Sequence, residues 1–335
     1  MKKFLLLAAC TLLVTMAVFS SGKSEPEQTE PIVMKLAHYA NETHAGNDAA
    51  KMFAAGVEER TNGMVKVEIY PNNELGGPPE VLEQNILGAI DMSLPTQGQL
   101  AKYSKKFGCV MLPFAYAGYD HAYRVLDGPF LEWAAPDLEE QGLIFLSNWE
   151  WGFRNLTNSV RPVNVPEDVE GLKIRTPPEL SNQAAMEALG GEVMIVDFSE
   201  LPMALQQGVV DGQENPVSVI WAYKIYETQK YLAITGHTYN SMVHVMSKAT
   251  WDKLTSEQQK IVKEESKKAG DFMRQTLRDA EAEQIQLLID EGGMEVTYPD
   301  VSLFKAKMGP AYERMAESVG QENIDKFLEM LEAEM

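Results

Sequence analysis

The chain has 335 residues, 45% of them apolar, and a formal charge of −20; it is long enough for two domains with cores of their own. That charge argues against nucleic acid and anionic membrane as partners. It does not exclude an anionic ligand, because a few cationic groups in a cleft outweigh a distant, screened surface field.

At the N-terminus Lys2 and Lys3 precede an apolar run from Phe4 to Phe19, followed by Ser20, Ser21 and Gly22. A charged start, a short apolar core and small exit residues make 1–22 an expected signal peptide. The run falls short of the roughly 20 apolar residues a spanning helix needs. "LAAC" at Leu7 to Cys10 resembles a lipoprotein cleavage box but sits early in the run. Residues 23–32 are polar and read as a flexible tether. The expected location is the periplasm, free or lipid-anchored, with a charge of −22 once the two lysines are removed. Cys109 is then the lone cysteine, in the apolar "FGCVMLPF", and reads as a packed residue.

Strand and helix signals alternate along the first half. Val33–Ala40 predicts a strand, Ala45–Arg60 an amphipathic helix stopped by Asn62–Gly63, and Val65–Pro71 a strand of period two. "PPEVLEQNILGAID" predicts a proline-opened helix closing near Gly88, and short strands are expected at Met92–Leu94 and Cys109–Leu112. This spacing implies βαβ units and an open sheet.

Gly142–Ser159 is long for one strand and reads as a segment that leaves one domain and enters the next. A second set follows: the strand "GLKIRTP" (Gly171–Pro177), the helix "PELSNQAAMEALG", the strand "GEVMIVD" and a short helix in "SELPMALQQGVVDG". Asn240–Lys248 is a strand expected to return the chain to the first domain. "TSEQ" at Thr255 is a capping box. From there to Glu291 no proline intervenes, and Ile261, Ala269, Phe272, Met273, Leu277, Ala280 and Leu288 recur at helical spacing. A helix of about 36 residues spans roughly 54 Å, more than one domain, and is expected to cross both.

Enzyme signatures are missing. The five histidines, at 38, 44, 121, 237 and 244, form no zinc pair, and neither a nucleophile elbow nor a Walker loop is present. No cofactor is expected. Binding signals are better: Arg154 in "WGFRNLTNS" and Arg175 in "GLKIRTP" lie on segments read as buried strand. A buried guanidinium calls for a carboxylate or phosphate partner; an internal acid or a solvent-facing strand end serves equally well. Trp149 and Trp151 flank Glu150, a combination that suits a sugar ring, although core packing explains tryptophans as readily. Phe198 in "VDFSE" shares that ambiguity, and His38 and Tyr39 end the first strand, where ligands meet open α/β sheets.

The block "FSELPMALQQGVVDGQENPVSVIWAYKIYETQKYLAITGHTY", with "YPNNELGG", "GLKIRTP" and the long helix, resembles the solute-binding proteins of TRAP transporters, the DctP-like family. The resemblance runs from about Val33 to the C-terminus. It implies a two-domain α/β periplasmic binding protein fold, type II-like of the TRAP class, with hinge strands and a long helix crossing both domains. On that pattern 33–152 with 241–280 form domain I, 153–240 with 281–335 form domain II, and the ligand cleft lies between them.

The implied role is a receptor, not an enzyme, that delivers an organic carboxylate to the membrane subunits of a sodium-coupled transporter. Arg175 matches the carboxylate clamp, Arg154 a second cationic position, Asn215 an amide on the same carboxylate and Phe198 an aromatic over the ligand. Tyr39, Thr96 and Gln97 fall where the first domain lines the cleft, and Asp211, Gln213 and Glu214 are expected to hold the turn and neighbouring backbone. A sugar acid such as a uronate or aldonate is favoured because Trp149, Glu150 and Trp151 adjoin the clamp. Rivals are a C4-dicarboxylate, a 2-oxo or 2-hydroxy acid and a sialic acid within the class, and a secreted enzyme or a sensory protein outside it.

Overall fold

The computed structural model describes residues 30–335. The expected signal peptide and residues 23–29 of the tether lie outside them, and Ile32, assigned to the tether, already opens the first strand. Nine strands form one sheet: β1 (Ile32–Ala37), β2 (Val65–Tyr70), β3 (Met92–Ser93), β4 (Leu143–Asn158), β5 (Lys173–Thr176), β6 (Glu192–Ile195), β7 (Gly212–Pro216), β8 (Tyr231–Ser247) and β9 (Glu295–Thr297). Their order is β2-β1-β3-β8-β4-β7-β5-β6, with β9 beside β8. Two parallel sets, β2-β1-β3 and β7-β5-β6, therefore flank a central antiparallel pair, β8 and β4. β8 borders the first set through β3, and β4 borders the second through β7.

The two large apolar clusters cover opposite faces of this sheet. Along β4, Leu143 joins one cluster and Ile144 and Leu146 the other; along β8, Val243 and Val245 alternate with Met242 and Met246 in the same way. Period-two alternation sends successive side chains to opposite faces. One cluster joins Leu82 and Leu100 to Ile174 and Met186, and the other joins Met34 and Val65 to Leu201 and Val217, so the apolar packing runs across the molecule.

Cys109–Leu112 is not a strand. Lys105–Cys109 forms a 3₁₀ turn, and the amides of Val110 and Leu112 bond back to Phe107 and Cys109. The run is buried on all sides, and such a short apolar stretch has no period that distinguishes a strand from a packed turn. The return strand is longer than expected, because β8 starts at Tyr231 and passes through the polar "TGHTY". Its register against β4 jumps from Arg154–Thr238 to Leu156–Ala233, and Gly236, at φ 51°, takes up the extra chain.

The helix opened by the Thr255 box runs from Ser256 to Asp290, 35 residues and about 52 Å. Ile261, Ala269, Met273, Leu277 and Leu288 are buried, whereas Phe272 is 38% exposed. Arg60 reaches Glu264 and Glu265 on this helix, Arg274 reaches Asp127, and Arg278 reaches Asp120. Its Gly270 lies against β4, where a Cβ would meet the Asn148 carbonyl oxygen at 2.6 Å. Among the described residues, no helix is long and apolar enough to cross a membrane.

Candidate functional site

The carboxyl ends of β1 and β3 approach from one side and those of β5, β6 and β7 from the other, meeting over the middle of β4. Ligands of open α/β sheets bind at such strand ends. The pocket there is lined by Tyr39, Pro78, Thr96, Gln99, Trp151, Arg154, Arg175, Pro177, Glu179, Phe198 and Asn215. Segments far apart in the chain thus supply one small chamber.

Arg175, near the end of β5, is fully buried. Its Nε donates to the Val196 carbonyl at 2.8 Å, and its Nη2 has no partner. The guanidinium carbon stands 5.9 Å from the centre of the Phe198 ring. Burial lowers its pKa to about 10; Glu214 partly offsets that, and neighbouring Arg154 adds to it. A buried donor without an acceptor is costly, and an anion entering the pocket relieves that cost.

Arg154 is differently placed. Its Nη2 donates to Glu214 Oε1 at 2.8 Å and to the Glu214 carbonyl at 2.6 Å, its Nε bonds the same carboxylate, and its Nη1 donates to Asn240 Oδ1 at 2.8 Å. His237 Nε2 lies 3.4 Å from Glu214 Oε2. Burial alone raises the Glu214 pKa, but Arg154 and His237 outweigh it and leave the carboxyl below its usual value. Glu214 is therefore the internal partner of Arg154 and does more than hold the turn. Asn215 lines the pocket and donates from Nδ2 to Gln213 Oε1 at 2.5 Å.

Of the Trp149-Glu150-Trp151 triplet only Trp151 lines the pocket. Trp149 donates its indole N–H to Ser147 Oγ and to the Ser266 carbonyl and packs on the long helix and His244. Glu150 points to the opposite face, accepting from the hydroxyls of Tyr123 at 2.6 Å and Tyr239 at 3.1 Å and from the Trp151 amide at 3.0 Å. The juxtaposition expected from sequence adjacency is corrected in both cases: strand alternation turns Glu150 away, and helix packing claims Trp149.

A bulge makes the difference further along β4. Glu150 pairs with Ser241 and Gly152 with Asn240, so Trp151 is the extra residue. One inserted residue shifts the phase of everything after it, and this lets Trp151 and Arg154, of opposite parity, line the same pocket. Gly152 sits there at φ 122°, with Pro216 only 3.1 Å from where a Cβ would stand.

Tyr39 and Thr96 line the pocket, and the buried Tyr39 hydroxyl has no partner. Its ring meets Trp151 edge-on at 5.0 Å and Phe198 at 5.6 Å. His38 lines an adjoining hollow with Asn73 and Ser93; both ring nitrogens lack partners, and burial lowers its pKa to about 4. Gln97 does not line the pocket, because its amide is spent on Asn148 Oδ1 at 2.8 Å, and Gln99 takes the place instead.

Glu179 escaped the sequence reading. It precedes the helix Leu180–Ala188 at the cap position without capping it, as glutamate is a poor cap. Its Oε1 accepts from the Thr96 hydroxyl at 2.9 Å, across the pocket. Its Oε2 is buried without a partner, and burial raises its pKa despite Arg154 and Thr96. The usable signal was an acid immediately after the Pro177-Pro178 pair that follows β5; in the fold, a Cβ at Gly98 would lie 2.3 Å from Oε2.

Comparison with known proteins places the chain in a family. The family model for bacterial extracellular solute-binding protein, family 7 (DctP), matches residues 36–318. The sialic acid-binding periplasmic protein SiaP of Vibrio cholerae is 33% identical over 298 residues, 89% of this chain and 92% of that protein. The C4-dicarboxylate-binding periplasmic protein DctP of Rhodobacter capsulatus is 32% identical over 320 residues, 93% and 95% of the two chains. The crystal structure of a TRAP periplasmic solute-binding protein from Polaromonas sp. JS666, bound to D-erythronate, superimposes with a TM-score of 0.84 at 33% identity, covering 88% of this chain and 98% of that one. A buried, unspent guanidinium at the meeting of two parallel strand sets, under a helix that contacts both parts, thus belongs to a chain of the DctP family of TRAP solute-binding proteins, a family of receptors rather than enzymes.

Proposed function

We propose that the protein is a periplasmic receptor that closes around a small organic carboxylate, a sugar acid such as a uronate or aldonate in the first instance, and hands it to the membrane subunits of a sodium-coupled TRAP transporter. The observation that carries this reading is Arg175, buried with its Nη2 unpartnered beside the pocket that Asn215 also lines. The carboxylate pairs with Arg175 and Asn215, while Arg154, its charge balanced by Glu214, lines the wall beside them. Phe198, Trp151 and Tyr39 supply ring faces and edges for the carbon skeleton, and the Thr96 and Tyr39 hydroxyls lie within reach of ligand hydroxyls. A dicarboxylate fits less well, since among the described residues no cation other than Arg154 and Arg175 lines the pocket.

Arg175, Asn215, Trp151, Thr96 and Tyr39 are all buried, so a ligand enters only if the two parts separate. Domain I (33–152 with 241–280) and domain II (153–240 with 281–335) move as a hinge in this proposal, each boundary falling inside a long element: β4, β8 or the 35-residue helix. A thermal-shift and calorimetric screen of the exported form against sugar acids, 2-hydroxy acids, 2-oxo acids and C4-dicarboxylates tests the reading. At 100 times Kd a ligand adds about 2.7 kcal/mol of stability, without chemical turnover. A panel in which no carboxylate binds, or in which one is chemically converted, overturns it.

A further inference from the structure

The geometry points to Glu179 as the residue that selects a hydroxylated monocarboxylate over a dicarboxylate, by accepting a hydrogen bond from a ligand hydroxyl on its unspent Oε2. This rests on the carboxylate-receptor reading and adds the chemistry of the ligand's other end. Four buried polar atoms of pocket-lining side chains lack partners: Arg175 Nη2, the Tyr39 hydroxyl, Gln99 Oε1 and Glu179 Oε2. They are a cationic donor, a group that donates or accepts, and two acceptor-only oxygens, of which the one on Glu179 belongs to a carboxylate. A ligand that satisfies all four carries a carboxylate for the first and hydroxyls for the last two.

The charges agree. Arg154 is neutralised by Glu214, with both side chains nearly solvent-free at 4% and 0% exposure. Arg175 then faces one incoming carboxylate, and a second carboxylate meets Glu179, where two acceptor-only anions repel without water to separate them. The carboxylate of Glu179 is also held in position. The Thr96 hydroxyl fixes Oε1 at 2.9 Å, and Gly98 leaves the space that Oε2 occupies. That bond joins the segment after β3 to the segment after β5, so the selecting oxygen is set in place as the two parts meet.

The test is calorimetry of wild-type protein, Glu179→Gln and Arg175→Lys with gluconate, glucuronate, erythronate, malate and succinate, each variant first checked for folding by circular dichroism. Glutamine keeps an acceptor for Thr96 but removes the charge. The expected result is a wild-type preference for the hydroxylated monocarboxylates, and a shift of at least tenfold toward malate or succinate in Glu179→Gln. A preference ratio unchanged within twofold, or a wild-type protein that binds succinate best, overturns the role of Glu179 while leaving the receptor reading intact. Wild-type protein that binds none of the five removes the role of Glu179, and the receptor reading falls with it only if the wider carboxylate screen is also blank. Thr96→Val, which frees Glu179 without altering its charge, is expected to lower affinity for the hydroxylated acids and leave the preference for one carboxylate over two; loss of that preference also counts against the proposal.

Discussion

Arg154 on β4 and Glu214 on β7 face each other inside the sheet, Nη2 2.8 Å from Oε1, and the carboxylate receives the guanidinium through two nitrogens. The pair lies directly behind the pocket, and its positive member lines the wall. Replacing Glu214 by Gln leaves a buried guanidinium without its counter-charge, and removing one partner of such a pair costs about 3–5 kcal/mol. Urea denaturation of Glu214→Gln is expected to show a loss of that size. The double variant Arg154→Met with Glu214→Leu should recover most of the stability but not the ligand affinity; recovery of both would place the pair outside ligand binding.

Arg175→Lys replaces a planar fork by a point charge. The expected loss is about 2–5 kcal/mol of binding free energy, read by calorimetry with whichever acid the screen identifies. The ligand-free variant should melt within a few degrees of the parent, because the group removed was unpaired at Nη2. Undiminished affinity would refute the clamp.

Gly270→Ala pits two effects against each other. Alanine is better than glycine inside a helix by about 1 kcal/mol. Here its Cβ would come within 2.6 Å of the Asn148 carbonyl oxygen and 2.8 Å of Trp149 Cδ1. A backbone oxygen in a central strand cannot step aside, and overpacking typically costs about 1–3 kcal/mol. Net destabilisation is expected in chemical denaturation; a gain would show that the helix can lift off β4 without cost.

Glu150 gives the protein a pH dependence. Burial pushes its carboxyl up from 4.5 to about 7, with the Tyr123 hydroxyl, Arg274, the Tyr239 hydroxyl and the Trp151 amide pulling the other way. The folded form thus holds a proton that the unfolded chain releases. Its contribution to stability is complete below about pH 4.5 and is lost as pH rises to about 7, on the order of 3 kcal/mol in all. Melting curves of wild type and Glu150→Gln from pH 5 to 8 should show the wild type losing ground to the variant as pH rises, and a constant difference would count against the shift.

The elements with local signals were legible in the chain itself. The helix Ala45–Arg60 and the Thr255 capping box stand where their residues placed them, because caps, glycine stops and helical spacing act over a few residues. Arg175 stood out too, as a guanidinium on a short apolar strand, but whether an internal acid, solvent or a ligand met it was open. Other features depended on partners that only folding supplies. Nothing local to Glu150 tells that a tyrosine from Tyr119–Asp127 and another from β8 will claim it on the far face of the sheet. Nor does "WEWGFR" announce that Trp151 is a bulge residue; the insertion exists only against the register of β8.

The sequence by itself determined the alternation of strands and helices and the family, because each is written in short-range pattern and residue chemistry. The tertiary structure decided which side chains share the pocket: it paired Arg154 with Glu214, left Arg175 unspent, and carried Glu179 to Thr96 across 83 positions of chain. Which polar groups are satisfied is a property of the closed set of contacts, and no one segment contains enough of that set to settle it.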